Sequence, residues 1–444
     1  MNPELVARLR SLGVVKGTRN IRPAGSRGKS PRSVKGQRPR PESRSQRQDE
    51  APAAGPSAQD LVTLIPGLER VETAEGACLV LDHVYPLRHR HGQDCLADLL
   101  AWTPAPAAVF TADSRLGELT FRDFLFLDTE TTGLGGAGVI AFMVGVAFYE
   151  GDALVARQYF LRDHGDEPAM LLLLESLLNE RAGLITFNGR AFDLPLLENR
   201  FLLNRVPADL RERPHIDLLP PARRLWRYRF DSCALSALED ALLGLQRTQE
   251  DVPGWMIPGL YNDYLRTGDG RELTRVFYHN RLDLLSMVTL AARVVRLFVA
   301  PEADDHPIDL FGLGRWQMDL GLVEEAEQNL RRAAAPELPT EFYHQALTHL
   351  GYLLKRSERR EEALQVWQQL ACTSFDDVTA HVELAKHFEW HERDLSQAHY
   401  WTQEGLALLD GNEVGRQRAE LEHRLARLKR KLGGASRDGR RSMQ

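Results

Sequence analysis

Two carboxylates stand one residue apart in the stretch FLFLDTETTG, residues 124–133. Asp128 and Glu130 follow an unbroken apolar run, Phe124 to Leu127, of the sort a fully buried strand shows. In a strand, residues i and i+2 point to the same face. The two side chains would therefore sit side by side at a strand end, repel one another and split their pKa values unless something positive is there. A divalent cation removes the conflict, and a purely oxygen donor set selects a hard ion such as Mg²⁺ or Mn²⁺.

Two further aspartates lie in matching contexts. Asp193 occurs in FNGRAFDLPLL, just after a short apolar strand and at the start of a helix. Asp283 occurs in FYHNRLDLLSMVTL, inside an amphipathic helix. Four carboxylates from three segments suffice for a two-metal site, which activates a water and stabilises the leaving oxygen in phosphodiester cleavage.

These motifs resemble the three exonuclease motifs of the DEDD superfamily: Asp128-x-Glu130 at a strand end, then Asn188-x-x-x-Phe192-Asp193, then Asp283 behind a possible base. The resemblance runs from about Phe124 to Phe298 and is similar in detail to a bacterial branch of ribonuclease-H-like predicted exonucleases with repeat-containing C-terminal tails. The stretches DLLPPARRLWR, SCALSALE and DVPGWMIPGLYNDYL share that likeness. It implies 3′→5′ removal of nucleotides from DNA or RNA, at a single-stranded 3′ end, with two Mg²⁺ or Mn²⁺ ions. It makes Asp128, Glu130, Asp193 and Asp283 the metal ligands, and gives Asn188, Phe192 and the backbone around Thr129 to the terminal nucleotide's pocket. The last motif departs from the family pattern of Tyr-x-x-x-Asp or His-x-x-x-x-Asp. Here His279 stands at the tyrosine spacing and Tyr278 at the histidine spacing. On a helix i and i+4 share a face, so His279 is the better aimed at the carboxylates, and neutral imidazole can orient or deprotonate a water.

The elements that must hold these groups can be read along the chain. GVIAFMVGVAFYEGDALVARQYFL supplies two strands about the turn YEGDAL. GDEPAMLLLLESLLNE reads as a helix, with Asp166 as its N-cap and Pro168 in its first turn. GLITFNG is a short buried strand, AFDLPLLENRFLLNR a helix, and HIDLL a last strand whose Asp217 is assigned a supporting role. The order β-β-β-α-β-α predicts a mixed α/β sheet with helices on its faces, and the resemblance implies that this sheet is of the ribonuclease-H-like class. Upstream, RVETAEGACLVLDHVYP alternates around Glu-Gly and predicts a hairpin, in a β-rich lead-in spanning 59–120 and packed on the nuclease domain of 121–300. His89 and His91 lack a third partner nearby and read as structural or solvent-exposed.

Over 308–432 the strands stop. Leu313-Gly314 aligns with Leu350-Gly351, and Ala326, Ala363 and Ala398 recur at intervals of 37 and 35 residues, close to the ~34 of a tetratricopeptide repeat. Helix pairs closed by a final helix with Leu421, Leu425, Leu428 and Leu432 on one stripe form an all-α repeat domain that offers a surface to a protein partner. The stretch RRLWRYRF (223–230) interleaves arginines with aromatics. It reads equally as a phosphate-and-base grip or as an amphipathic element with solvated arginines.

The formal net charge is −6, but residues 1–50 hold 13 Lys+Arg against 4 Asp+Glu, or +9, so the remainder carries about −15. Segment 1–58, poor in aromatics, and segment 433–444 read as disordered basic tails. Four scattered cysteines without a CxxC pair suggest neither a zinc site nor a disulfide framework. No apolar run approaches the ~20 residues of a membrane span, and a cytoplasmic protein is the expectation. Beside the nuclease stands an alternative: a repeat-based scaffold whose nuclease-like domain binds nucleic acid with little or no cutting.

Overall fold

The computed structural model describes residues 61–133, 138–335, 338–374, 377–409 and 415–441. The basic segment 1–58 lies outside the described residues.

Seven strands make one sheet. β1 (Leu68–Thr73) and β2 (Gly76–Pro86) form the expected hairpin, turning through Ala74 and Glu75. β3 (Arg90–His91) and β4 (Asp94–Cys95) make a separate small ribbon. β5 (Phe124–Thr131), β6 (Ala141–Glu150) and β7 (Ala153–Phe160) form an antiparallel meander. β8 (Gly183–Thr186) and β9 (His215–Asp217) then add in parallel beside β5. The order across the sheet is β1-β2-β7-β6-β5-β8-β9. The lead-in thus does more than pack on the sheet. Its hairpin pairs antiparallel with β7 and extends the sheet at the edge.

The helices cover both faces. α1 (Glu167–Asn179), α2 (Asp193–Leu203) and α4 (Ile257–Thr267) lie on one side, with Leu125 and Leu127 of β5. α3 (Leu219–Trp226) and the 27-residue α5 (Leu273–Val299) lie against the other, with Phe124 and Phe126. That the apolar run of β5 is hydrophobic at every position follows from its burial on both faces. Asp166 stands at the N-cap position of α1, as expected, but its side chain makes no capping bond. Its carboxylate accepts from Arg162 at 2.7 and 2.8 Å, while Asp163 caps the turn before it. Glu167 pairs with Arg200 and Asn204 of the neighbouring α2 segment.

The C-terminal region is all helical. It runs as α6 (Pro307–Leu320) with α7 (Val323–Ala333), α8 (Thr340–Arg356) with α9 (Arg360–Thr373), α10 (Thr379–His387) with α11 (Leu395–Leu408), and a closing α12 (Arg416–Arg441). Small residues set the close crossings: a Cβ on Gly351 would stand 2.6 Å from the Trp367 ring, and Ala326, Ala363 and Ala398 are buried. α12 passes the expected stop at Gly433 and continues to Arg441. No helix among the described residues is long and apolar enough to cross a membrane.

Candidate active site

The β5 register explains how Asp128 is held. Opposite Asp128 on β6 stands Gly145, and opposite Gly145 on β7 stands Gln158. A side chain at 145 would collide with Asn280 of α5, since a Cβ there would lie 2.0 Å from the Asn280 Oδ1. The missing side chain is the gap through which Asn280 reaches the sheet. Its Nδ2 donates to Asp128 Oδ2 at 2.8 Å, and its Oδ1 accepts from Gln158 Nε2 at 2.9 Å. Gln158 and Asn280 are both fully buried, so a polar line crosses three strands under α5 and ends on the Asp128 carboxylate.

Thr129 points to the other side of the strand. Its hydroxyl donates to Asp193 Oδ1 at 2.5 Å, so the first residue of α2 is tied to the position between the two β5 acids. Asp283 comes from α5, one turn beyond His279. His279 Nε2 lies 3.6 Å from Asp283 Oδ2, and its Nδ1 is 2.8 Å from Asp251 Oδ1. Tyr278 turns elsewhere: its hydroxyl accepts from Thr248 at 3.4 Å and its ring lies under Arg281.

The electrostatics tie these groups into one site. Burial raises the Asp128 carboxyl well above the usual carboxylate range, and the charges of Asp283 and Asp193 raise it further. Burial raises Glu130 in the same way, with Asp128, Asp283 and Asp193 adding to it. Asp193 is pushed up to about 6, chiefly by burial and against the Thr129 hydrogen bond. Burial raises Asp283 against the pull of His279 and Arg247. All four acids thus carry charge at a cost that a cation among them would relieve.

The chain already brings protein donors to them. Arg247 donates to Glu239 at 2.6 and 2.8 Å, lies 3.3 Å from Asp251, and bonds to Asp283. Among the described residues no three His, Cys, Asp or Glu side chains are gathered as a cluster that could hold an ion. The local reason is visible: Asn280 takes Asp128, Thr129 takes Asp193, and Arg247 takes Asp283. The donor chemistry nonetheless fits a hard divalent cation, being four buried or half-buried oxygen acids, of which Asp193 and Asp283 raise both Asp128 and Glu130. To receive one, Asp283 would exchange the guanidinium for the ion.

The second motif is also organised. Asn188 has a left-handed φ of 67°, held by Asp217 Oδ1, which accepts its N–H at 2.7 Å and that of Leu219 at 3.1 Å. The other Asp217 oxygen accepts from Arg190 at 3.2 Å, so this acid braces the loop. Phe192 immediately precedes α2 and is half-buried. His91 and His89 are structural: His91 Nε2 bonds Ser286 Oγ at 2.7 Å, and His89 packs on Tyr85.

Sequence reasoning did not find Gly145, Gln158, Asn280, Glu239, Arg247 or Asp251. Asn280 had a faint signal, as a polar residue on the apolar side of a helical pattern. The others become visible only through pairing across the fold.

A description of the RNase H superfamily, RNase_H_2, matches residues 125–295. The chain is also 32% identical over 367 residues to the uncharacterized protein YprB of Bacillus subtilis (strain 168), covering 80% of this chain and 86% of that one.

Proposed function

Since the chain belongs to the family of the Bacillus protein YprB and carries an RNase H superfamily domain, which points to nuclease-type activity, we propose that it is a metal-dependent 3′→5′ exonuclease. The observation that carries this reading is the set of four carboxylates from β5, α2 and α5, Glu130 and Asp193 buried and Asp128 and Asp283 partly buried, with Thr129 of β5 bonded to Asp193 and Asn280 of α5 bonded to Asp128. Asp128, Glu130, Asp193 and Asp283 would hold two Mg²⁺ or Mn²⁺ ions. Such ions supply charge neutralisation at the phosphate and acidify the attacking water.

The chain's own residues do the rest. His279 Nδ1 lies 2.8 Å from Asp251 Oδ1 and 2.9 Å from Arg247 Nη1; in the tautomer that donates Nδ1–H to Asp251, Nε2 would keep a lone pair on the side of Asp283. His279 would take a proton from the water as its oxygen bonds phosphorus. The P–O3′ bond then breaks, the 3′ oxygen gains a proton from solvent, and a nucleoside 5′-monophosphate leaves. The Asn188 loop, Phe192 and the Thr129 backbone form the pocket for the last nucleotide. The helix pairs beyond 307 are read as tetratricopeptide-like and as a seat for a protein partner.

End-labelled single-stranded DNA and RNA, incubated with Mn²⁺ or with EDTA, test the proposal. A ladder shortening from the 3′ end in Mn²⁺, reduced at least about 100-fold in Asp193→Asn, is expected. An unchanged ladder in that variant, or none from the wild type, overturns it. The donors that already satisfy Asp128, Asp193 and Asp283 favour a second reading, a domain that binds strands without cutting. That reading predicts strand binding with no ladder under the same conditions.

A further inference from the structure

The arginines of the stretch 223–230 divide into two sets. Arg224 pairs with Asp319 at 2.5 Å and Arg229 with Asp309 at 2.6 Å, both on α6. Arg223 and Arg227 are exposed, and among the described residues neither makes an ion pair with a carboxylate; Arg227 donates to the Tyr228 hydroxyl and lies 4.7 Å over its ring. Both line a cleft of about 720 Å³ whose other walls include Phe187, Asn188, Phe230 and Asp231. Trp226, between them, is buried in the core. The aromatics and arginines of this stretch therefore serve three ends: core, anchorage to α6, and the cleft.

One wall of the cleft, Phe187 and Asn188, continues β8, the strand beside β5. β8 runs parallel to β5, with Phe124 opposite Gly183 and Phe126 opposite Ile185. Continuing that register by two residues sets Phe187 level with Asp128, one strand away, and neighbouring strands lie about 4.8 Å apart. Asn188 then sits at the mouth, its turn fixed by Asp217. Arg223 and Arg227 are four residues apart on one face, which spaces them about 6 Å along the helix axis. Two guanidiniums at that separation, Arg227 exchanging the Tyr228 hydroxyl for a phosphate oxygen, suit successive phosphates of one extended strand. The rings of Phe187 and Phe230 suit the open faces of unpaired bases.

We infer that this cleft is the entry track for a single-stranded polynucleotide, with Arg223 and Arg227 on its phosphates, leading the 3′ end past Asn188 to the carboxylates. The inference rests on the nuclease reading for its direction and end point. Asp231 stands on the track's wall and would be passed by the backbone at its edge. A duplex presents no free base faces and is bound more weakly.

The test separates binding from cutting. Anisotropy titrations in EDTA with fluorescent dT and rU 15-mers compare the full-length wild type with an Arg223→Gln, Arg227→Gln double variant. Both residues are exposed, so folding is expected to persist, with circular dichroism as the check. Loss of binding by about tenfold or more is expected, with the slope of log K against log salt reduced by about 1.4, the loss of two single-strand phosphate contacts. Unchanged affinity in the variant, equal affinity for duplex, or equal competition by polyglutamate overturns the inference. In parallel, hydrolysis of bis(p-nitrophenyl) phosphate with Mn²⁺ is expected to be the same in both proteins, because that ester needs no track. Failure of the wild type to hydrolyse it counts against the nuclease reading. The binding result tests the track independently.

Discussion

At the scale of single residues, the site depends on an absence. Gly145 has no side chain, so Asn280 can lie over the sheet and donate to Asp128. Gly145→Ala would press a Cβ onto the Asn280 amide, break the Gln158–Asn280–Asp128 line and leave buried polar atoms unpaired. A loss of about 1–3 kcal/mol in denaturant unfolding is expected. Strand cleavage should fall at least about tenfold, measured on the same labelled oligonucleotides. Equal stability and rate would show that the line does not position Asp128. None of this could be read in sequence, because a glycine in a strand pattern looks the same whether it marks a bulge, a flexible spot or a gap for a distant amide. The acids were legible for the opposite reason. Charges placed straight after a buried apolar run need a local explanation, and so they announce themselves. His279 was aimed by helix spacing alone, whereas its orienting partner Asp251 lies 28 residues away in an irregular segment with no pattern to reveal it.

At the scale of elements, two buried histidines stitch pieces of the fold together. His91 joins the small ribbon to Ser286 of α5, and His215 of β9 bonds Thr186 of β8 at 2.8 Å. Burial lowers both imidazoles to about 4, against the nearby charges of Glu239 and Asp217. A folded-state pKa below the ordinary 6.5 means that the unfolded chain binds the proton more readily. Their stabilisation is therefore complete above about pH 6.5 and is lost as pH falls toward 4. Each should cost about 2 kcal/mol between pH 7.5 and pH 5. Urea midpoints at the two pH values check this, and His91→Gln should flatten the dependence. The strands and long helices themselves were legible, because each is set by a period of 2 or 3.6 over many residues. The end of α12 was not, since a glycine pair and a basic run resemble a helix stop. The lead-in's place was half legible: its hairpin pattern was local, but its pairing with β7 was not.

At the scale of the whole molecule, the two regions share one core. A single apolar cluster runs from Leu99 and Phe124 through Trp226 and Val294 to Phe311, Leu350, Trp367 and Leu384. Phe110, Phe298 and Trp316 meet at its centre, with ring separations of 4.9–5.4 Å. Gly312 of α6 brings backbone against backbone, since a Cβ there would stand 2.5 Å from the Leu225 carbonyl oxygen of α3. Calorimetry should therefore show one transition covering both regions rather than two. Gly312→Val should lower its midpoint, by the equivalent of about 2 kcal/mol or more. Two well-separated transitions in the wild type would show that the cluster does not couple them.

α3 has two sides with different duties. Leu225 meets Gly312 on one, and Arg223 faces the cleft on the other, within about two turns of helix. If the proposed partner of the C-terminal helix pairs shifts that contact and the arginines with it, occupancy at one place changes affinity at the other by the same factor in both directions. On that proposal a delivery protein docked there would be sensed by the strand, and the strand, on arriving, would tighten or loosen its own courier.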